Sequence, residues 1–381
     1  MIEWNDENKK ILLDCVDVQD MMRKFPGVKG ESLRRKYNEF KHHVIGSSAD
    51  ISVEKDILKR QYESSKKQVN DKYKNLLDKI DTLTQERNAA IALSETKQGI
   101  IIEPKLGESK SESIAVIVAS DWHIDEIVNS KSINGLNEFN PTIADGRVHK
   151  FFRNAARMVK LFQNDTDIST IILELLGDFI SGNIHEELLE NTSMRPMDAI
   201  IKATEYLIGG INFFLEQTKC KLVIVCHSGN HPRITRKLHV SSEAGNSLEY
   251  LMYHNLKLHF ANEKRIEFII SEGYHSYINV FGKTIRSHHG HEIKYGGGIG
   301  GLSIPLMKAT QAWNKGRLAD LDILGHFHQQ RDYGNQITNG SLIGYNAFAL
   351  SIKADYEEPK QTFLLLHKKH FKTVVAPIWL E

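Results

Sequence analysis

Three apolar runs rich in β-branched residues, IAVIVASD (114–121), TIILELLGD (170–178) and KLVIVCHSGN (221–230), are separated by RVHKFFRNAARMVKLF and DAIIKATEYLIGGINFFLEQ, whose apolar positions recur with a helical period. This alternation constrains the chain more than any other feature. A strand that is apolar at nearly every position must be covered on both faces, and strand–helix–strand repeats pair in parallel through right-handed crossovers. Later segments, HSYINVFGKTIRSHHGH, ITNGSLIGYNAFAL and PKQTFLLLHKKHFKTVVAP, alternate in the manner of hairpins. The fold class expected for residues 112–381 is therefore α/β, a sandwich of mixed β-sheets flanked by helices.

The 111 residues before it read differently. Residues 1–46 carry three short helical patterns, NDENKKILLDC, VQDMMRKF and GESLRRKYNEFKHH, with Pro26, Gly27 and Gly30 making a tight turn before the last. Acidic side chains crowd the front of this segment and basic ones the back, including Arg34, Arg35 and Lys36. A basic last helix is what phosphate contacts require, so this segment is either a DNA-reading module or a helical protein adaptor with a solvated basic face. Within residues 47–111, the stretch 52–98 is free of proline and glycine and dense in charge, with apolar residues stepping by four and three from Val69 through Tyr73, Leu76, Ile80 and Leu83. This predicts a long helix with one apolar stripe. The stripe could be buried in a coiled-coil homo-oligomer or against the chain's own α/β domain. GIIIEPKLGESKSES then reads as a polar linker.

Length and composition set outer bounds. At 381 residues the chain exceeds the roughly 250–300 at which a single core stops growing. With 49 basic and 48 acidic residues, any affinity for nucleic acid must come from local patches. The three cysteines, Cys15, Cys220 and Cys226, have neither the number nor the spacing of a disulfide framework or a thiolate zinc site. With no apolar run near membrane-spanning length and a polar N-terminus, a soluble, cytoplasmic protein with no membrane partner is expected.

In open α/β sheets, ligands bind beyond the carboxyl ends of the strands. Here those ends carry Asp121-Trp122-His123, Gly177-Asp178, Gly229-Asn230-His231, His288-His289-Gly290-His291 and Gly325-His326-Phe327-His328. Carboxylate, carboxamide and imidazole together suit borderline divalent metals such as Mn, Fe, Zn, Ni or Co. In an extended backbone, residues i and i+2 point the same way, so the Asp-x-His and His-x-His spacings each aim two ligands at one point. The glycines before Asp178, Asn230 and His326 are expected to allow sharp turns and close approach.

DWH, GD, GNH, HHGH and GHFH, in this order, resemble the five motifs of the calcineurin-like metallophosphoesterases, and Asn339-Gly340-Ser341 resembles a further motif of that superfamily. The resemblance implies a metallophosphoesterase sandwich holding two divalent ions, manganese first among the candidates. Asp121, His123, Asp178 and His328 would hold one ion; Asp178, Asn230, His289 and His326 would hold the other. His289 is preferred to His288 and His291 because the family's ligand immediately precedes a glycine. His231 would be the general acid. Such a pair of ions activates water and neutralises phosphate oxygens during in-line attack.

The chain departs from the protein Ser/Thr phosphatases of that superfamily, having GDFISGN with Ser181 where a second Asp would stand, and Pro232 after GNH. His185, Glu186 and Glu187 are candidates to orient His231 in place of that Asp. Arg233, Arg236 and Lys237 follow in PRITRK, as a phosphate-tracking loop or as a solvated one, and Tyr295 with GGGIGG reads as a flexible loop near the site. The N-terminal segment, with Trp4 and FPGVKGESLRRKY, resembles a Myb/SANT-type helix-turn-helix. Together these favour the Mre11/SbcD-like DNA nuclease branch, of phage type, with DNA as partner. A phosphoprotein phosphatase or small phosphodiesterase with an adaptor module is the alternative.

Overall fold

The computed structural model describes residues 2–42, 59, 63–64, 66–67, 70–80, 101–102, 111–184, 188, 190–295, 301–351 and 353–381. It divides into two compact units, Met1–Thr84 and Gln85–Glu381.

In the first unit, α1 (Asp6–Leu13), α2 (Val18–Lys24) and α3 (30–42) enclose a small core of Leu12, Cys15, Met21, Phe25 and Leu33, with Trp4 against Phe25 and Phe40. The helix starts are set locally: the side chains of Asn5 and Asp17 accept from the backbone N–H of Asn8 and Asp20 at 2.9 and 2.8 Å. Arg34 and Arg35 are exposed, whereas Lys36 is held by Glu39 at 2.9 Å. A fourth helix is described over 70–80, with Tyr73, Leu76, Leu77 and Ile80 exposed. Residues 59, 63–64 and 66–67 are helical as well, and the remainder of the expected long helix lies outside the described residues.

The second unit contains two six-stranded mixed sheets. One is built from β2 (Glu112–Ala119), β3 (Asp167–Leu175), β4 (Lys221–Cys226) and β5 (Ile266–Ile270), all parallel, extended by the antiparallel hairpin β11 (Lys360–His367) and β12 (Phe371–Trp379) in the order β12-β11-β2-β3-β4-β5. The other contains β1 (Ile101–Ile102), β6 (Ser276–Val280), β7 (Lys283–His288), β8 (Leu321–Leu324), β9 (Arg331–Asp332) and β10 (Gln336–Thr338), in the order β1-β6-β7-β8-β10-β9. Ile101 and Ile102, read above as linker, instead pair in parallel with Asn279 and Val280. Two adjacent β-branched residues beside an open sheet edge suffice for this.

The central strands β2, β3 and β4 are buried on both faces, with partners that alternate. Val116, Val118, Ile172, Val223 and Val225 meet Ile278, Ile285, Ile323 and Ile337 between the sheets. Ala115, Ile117 and Ala119 instead meet α5 (Pro141–Gln163) and α6 (Pro196–Gln217) through Phe151, Phe152, Leu207 and Ile211. The β6–β7 hairpin turns at Phe281 and Gly282, both at positive φ (53° and 79°), as a two-residue loop requires. Among the described residues no helix is long and apolar enough to cross a membrane.

A carboxyl lies within the inter-sheet layer. Glu174 on β3 is fully buried and accepts from Ser287 Oγ on β7 at 2.9 Å, and burial pushes its carboxyl up to about 8. Between its ordinary value near 4.5 and about 8, the folded state keeps a proton that the unfolded chain has released. Its contribution is therefore favourable at low pH and lost as pH rises through that window. Glu174→Gln should melt progressively higher than the wild type from pH 5 to pH 8.5 in calorimetric scans; a constant difference would mean that Glu174 stays ionised in the fold.

Candidate metal centre

The two sheets pack so that β2, β3 and β4 of one and β7 and β8 of the other end on the same side, and the expected ligands follow those ends. Their backbone is not extended. Asp121, His123, Asp178, His326 and His328 all lie in the left-handed region, with φ of 55°, 48°, 56°, 71° and 55°. The expectation that i and i+2 converge because the strand continues is thus corrected: each pair sits in a tight bend past the strand end, at roughly 1–2 kcal/mol per residue of backbone strain. Three glycines make the bends possible. A Cβ on Gly177 would lie 2.2 Å from Gly229 N, one on Gly229 2.0 Å from Asp178 Oδ1, and one on Gly325 2.6 Å from Asp121 Oδ2.

Within this frame the potential donor atoms form three overlapping groups, Asp121–His123–His328, His123–Asp178–His231 and Asp178–His289–His326, each within 4.8 Å. His123 Nε2 is 3.2 Å from His328 Nε2, which is 3.5 Å from Asp121 Oδ1. His289 Nε2 is 2.9 Å from Asp178 Oδ2 and 3.2 Å from Asn230 Oδ1. Donors bound to one ion at about 2.1 Å lie about 3.0 Å apart in an octahedron and about 3.4 Å apart in a tetrahedron. The spacings therefore fit divalent-ion coordination, and the clusters fit a divalent metal site. Asp178 adjoins both the His123 group and the His289–His326 group, as a bridging carboxylate must.

Of the other histidines in HHGH, His288 is buried among Tyr274, His275 and Trp313, and His291 faces Glu243 at 3.1 Å. Only His289 of the three joins a donor group among the described residues.

The electrostatics are those of a cation-seeking pocket. Burial pushes His123 and His326 well below the usual imidazole range, so both rings are neutral and able to coordinate. Burial would raise Asp178, but His289, His231 and His123 together hold it well below the usual carboxylate range. Burial likewise opposes charge on His289, yet Asp178 and Asp121 draw it up to about 10. The pocket thus binds positive charge at the Asp178–His289 contact even as a proton.

A second layer of buried groups holds the candidate donors in place. Ser120 Oγ donates to Asp121 Oδ2 and accepts from Asn339 Nδ2 at 2.9 Å, which places the Asn339 motif behind the first ligand. Gln361 Oε1 accepts from Ser120 N at 2.9 Å and Trp122 Nε1 at 3.3 Å. Ser181 Oγ lies 2.9 Å from His123 Nδ1 and donates to Glu126 Oε2 at 3.1 Å, and Asn346 Nδ2 donates to Glu126 Oε1 at 3.0 Å. Glu249 grips two ligand loops at once, accepting from Phe179 N at 2.7 Å and Gly229 N at 2.8 Å.

Gln361, Glu126, Asn346 and Glu249 were absent from the sequence reading. Only Glu249 left a signal, as a carboxylate on the same helical face as Met252, Tyr253 and Leu256 of α7 (Leu248–His259). His231 is oriented by the backbone: its Nδ1–H donates to the Ser181 carbonyl at 2.9 Å, and its N–H donates to Asp178 Oδ1 at 2.8 Å. His185, Glu186 and Glu187, suggested for that role, lie outside the described residues, as do Gly296–Gly300. Arg233 Nη1 donates to the Asn230 carbonyl, 2.5 Å away, which brings this guanidinium to the site; Arg236 and Lys237 are exposed on the loop. Phe327, between the two histidines, is buried against Ile293, Leu302 and Leu306.

No protein-family model and no curated protein matches the sequence. Among solved structures, the chain is similar to an archaeal phosphodiesterase (TM-score 0.32, 14% identity, 69% of this chain and 99% of that one). It is also similar to Vps29 from Entamoeba histolytica complexed with zinc (0.26, 12%, 69% and 99%). A third is the sulfate thiohydrolase SoxB of Thermus thermophilus (0.31, 9%, 72% and 57%).

Glu249 offers a direct test of the second layer. An amide cannot accept from both N–H groups, so Glu249→Gln should weaken manganese binding by about 10–100-fold in calorimetric titration, without loss of the folded spectrum. Unchanged affinity would show that the loops keep their bends without this clamp.

Proposed function

We propose that the chain is a dinuclear-metal phosphodiesterase acting on DNA, a nuclease whose N-terminal helical unit engages the duplex. The observation that carries this reading is the linked set of donor groups, in which Asp178 shares one group with His123 and another with His289 and His326. Asp121, His123, Asp178 and His328 would hold one ion, and Asp178, Asn230, His289 and His326 the other. When bound, such ions supply Lewis acidity and charge neutralisation at a phosphoester.

The chain's own residues do the rest. With Nδ1–H committed to the Ser181 carbonyl, His231 would carry at Nε2 the proton that a leaving alkoxide takes up. The buried Ser181–Glu126 pair fixes the His123 ring, where the corresponding protein phosphatases would place a carboxylate after the bridging Asp. Arg233 sets positive charge beside Asp178 and Glu243, where a phosphate oxygen would approach, and Arg236 and Lys237 extend that charge along an exposed loop suited to a phosphate backbone. Arg34 and Arg35, exposed on α3, are the proposed duplex contacts, while Lys36 is partly neutralised by Glu39.

With manganese, full-length protein should cleave at least one of closed-circular plasmid, linear duplex and single-stranded DNA, and a generic phosphodiester, with activity abolished by chelation and by Asp178→Asn. Hydrolysis of a phosphopeptide with every DNA form left intact would overturn the nuclease reading. Arg34→Glu with Arg35→Glu should weaken duplex binding several-fold and steepen no salt dependence, while turnover of the generic diester stays at the wild-type rate. Unchanged duplex affinity would remove the N-terminal unit from DNA recognition.

A further inference from the structure

Phe348 is 41% exposed, and its ring lies beside two of the proposed ligands, with centroids 5.6 Å from His328 and 6.5 Å from His326. These two histidines are assigned to different ions, so the ring spans both halves of the centre. A solitary exposed phenylalanine is ordinary on a protein surface. This one is tied to the site.

It is carried on α9 (Ala347–Ser351), whose first turn is closed by Asn346 Oδ1 accepting from Ala349 N at 3.1 Å. The same Asn346 side chain donates to Glu126, Glu126 accepts from Ser181, and Ser181 lies against the His123 ring at 2.9 Å. Asn346, Glu126, Ser181 and His123 are all buried. A continuous chain of hydrogen bonds therefore sets the helix bearing Phe348 in register with a proposed metal ligand, while the phenylalanine it carries stays partly exposed.

We propose that Phe348 is a stacking platform for the nucleobase attached to the phosphoester under attack, a base subsite beside the metal centre. The proposal deepens the phosphodiesterase reading and rests on it. A phenyl ring offers a flat, weakly hydrated surface that every base can cover, whereas hydrogen-bonding side chains would select among bases. Such a subsite suits a substrate recognised by its nucleotide character and not by its sequence. A short helix anchored through buried polar groups loses little freedom when the base lands.

The test separates base recognition from hydrolysis. Full-length protein with manganese is titrated calorimetrically with thymidine 5′-phosphate and with deoxyribose 5-phosphate, which share the phosphate and sugar and differ in the base. The nucleotide should bind about tenfold more tightly. Phe348→Ala should bring the two affinities together by weakening only the nucleotide, and Phe348→Trp should preserve the preference. Equal affinities in the wild type, or a preference that survives Phe348→Ala, would overturn the platform. Hydrolysis of methyl p-nitrophenyl phosphate is measured beside it. Turnover of that ester with no Phe348-dependent base preference rejects the platform and leaves the phosphodiesterase reading standing. A Phe348-dependent preference without cleavage of any diester supports the platform and rejects that reading.

Discussion

Two carboxylates, a carboxamide and four imidazoles brought to one buried point form the arrangement on which this molecule depends. Burial alone would raise the Asp178 carboxyl and keep the His123 and His326 rings neutral, and a pocket of neutral donors would have little pull on a cation. The balance is tipped at Asp178. Its carboxyl is held well below the ordinary range by the surrounding histidines, and its attraction raises His289 to about 10 against the cost of burial. Asp178 is thus the local anchor of negative charge, and it shares one donor group with His123 and His231 and another with His289 and His326.

Holding that arrangement requires a backbone that no regular element supplies. Five of the seven proposed ligands occupy left-handed bends, and Gly177, Gly229 and Gly325 pack where a Cβ would collide with neighbouring atoms. Strain of this kind persists only when its surroundings leave no alternative. Glu249 spans two loops, Gln361 reaches from β11 to Ser120, and Asn339 closes on Ser120 from beyond β10. Groups from distant parts of the sequence thus prevent the bends from relaxing. The double-sheet core beneath them, with Val116, Val118 and Val225 against Ile285 and Ile323, fixes the strand ends from which the bends begin.

Much of this was legible along the chain, for reasons that differ by element. β2 to β4 and the helices between them declare themselves because a twice-buried strand is a continuous apolar run and an amphipathic helix repeats with its own period. The candidate ligands were legible because successive strand ends deliver Asp, Asn or His in the order of the five motifs, a donor set that suits borderline divalent ions. Ile101–Ile102 was missed because two residues carry no period, and its pairing depends on an edge made more than 170 residues later. Glu126, Asn346 and Gln361 were missed because a buried polar residue looks like a surface one until its partner is known.

By itself the sequence determined the α/β class, the order of the strand-end motifs and the residue types that suit a borderline divalent ion, since all three follow from local period and donor chemistry. Only the tertiary structure decided that strands from two separate sheets end on one side, that five of the candidate donors turn through left-handed bends, and that His289, rather than His288 or His291, joins a donor group among the described residues. It also decided that the Ser181 carbonyl orients His231 and that Phe348 stands beside His326 and His328. These relations join residues from about 20 to about 200 positions apart, settled by the packing of one sheet on another and by the hydrogen bonds that buried polar groups must find.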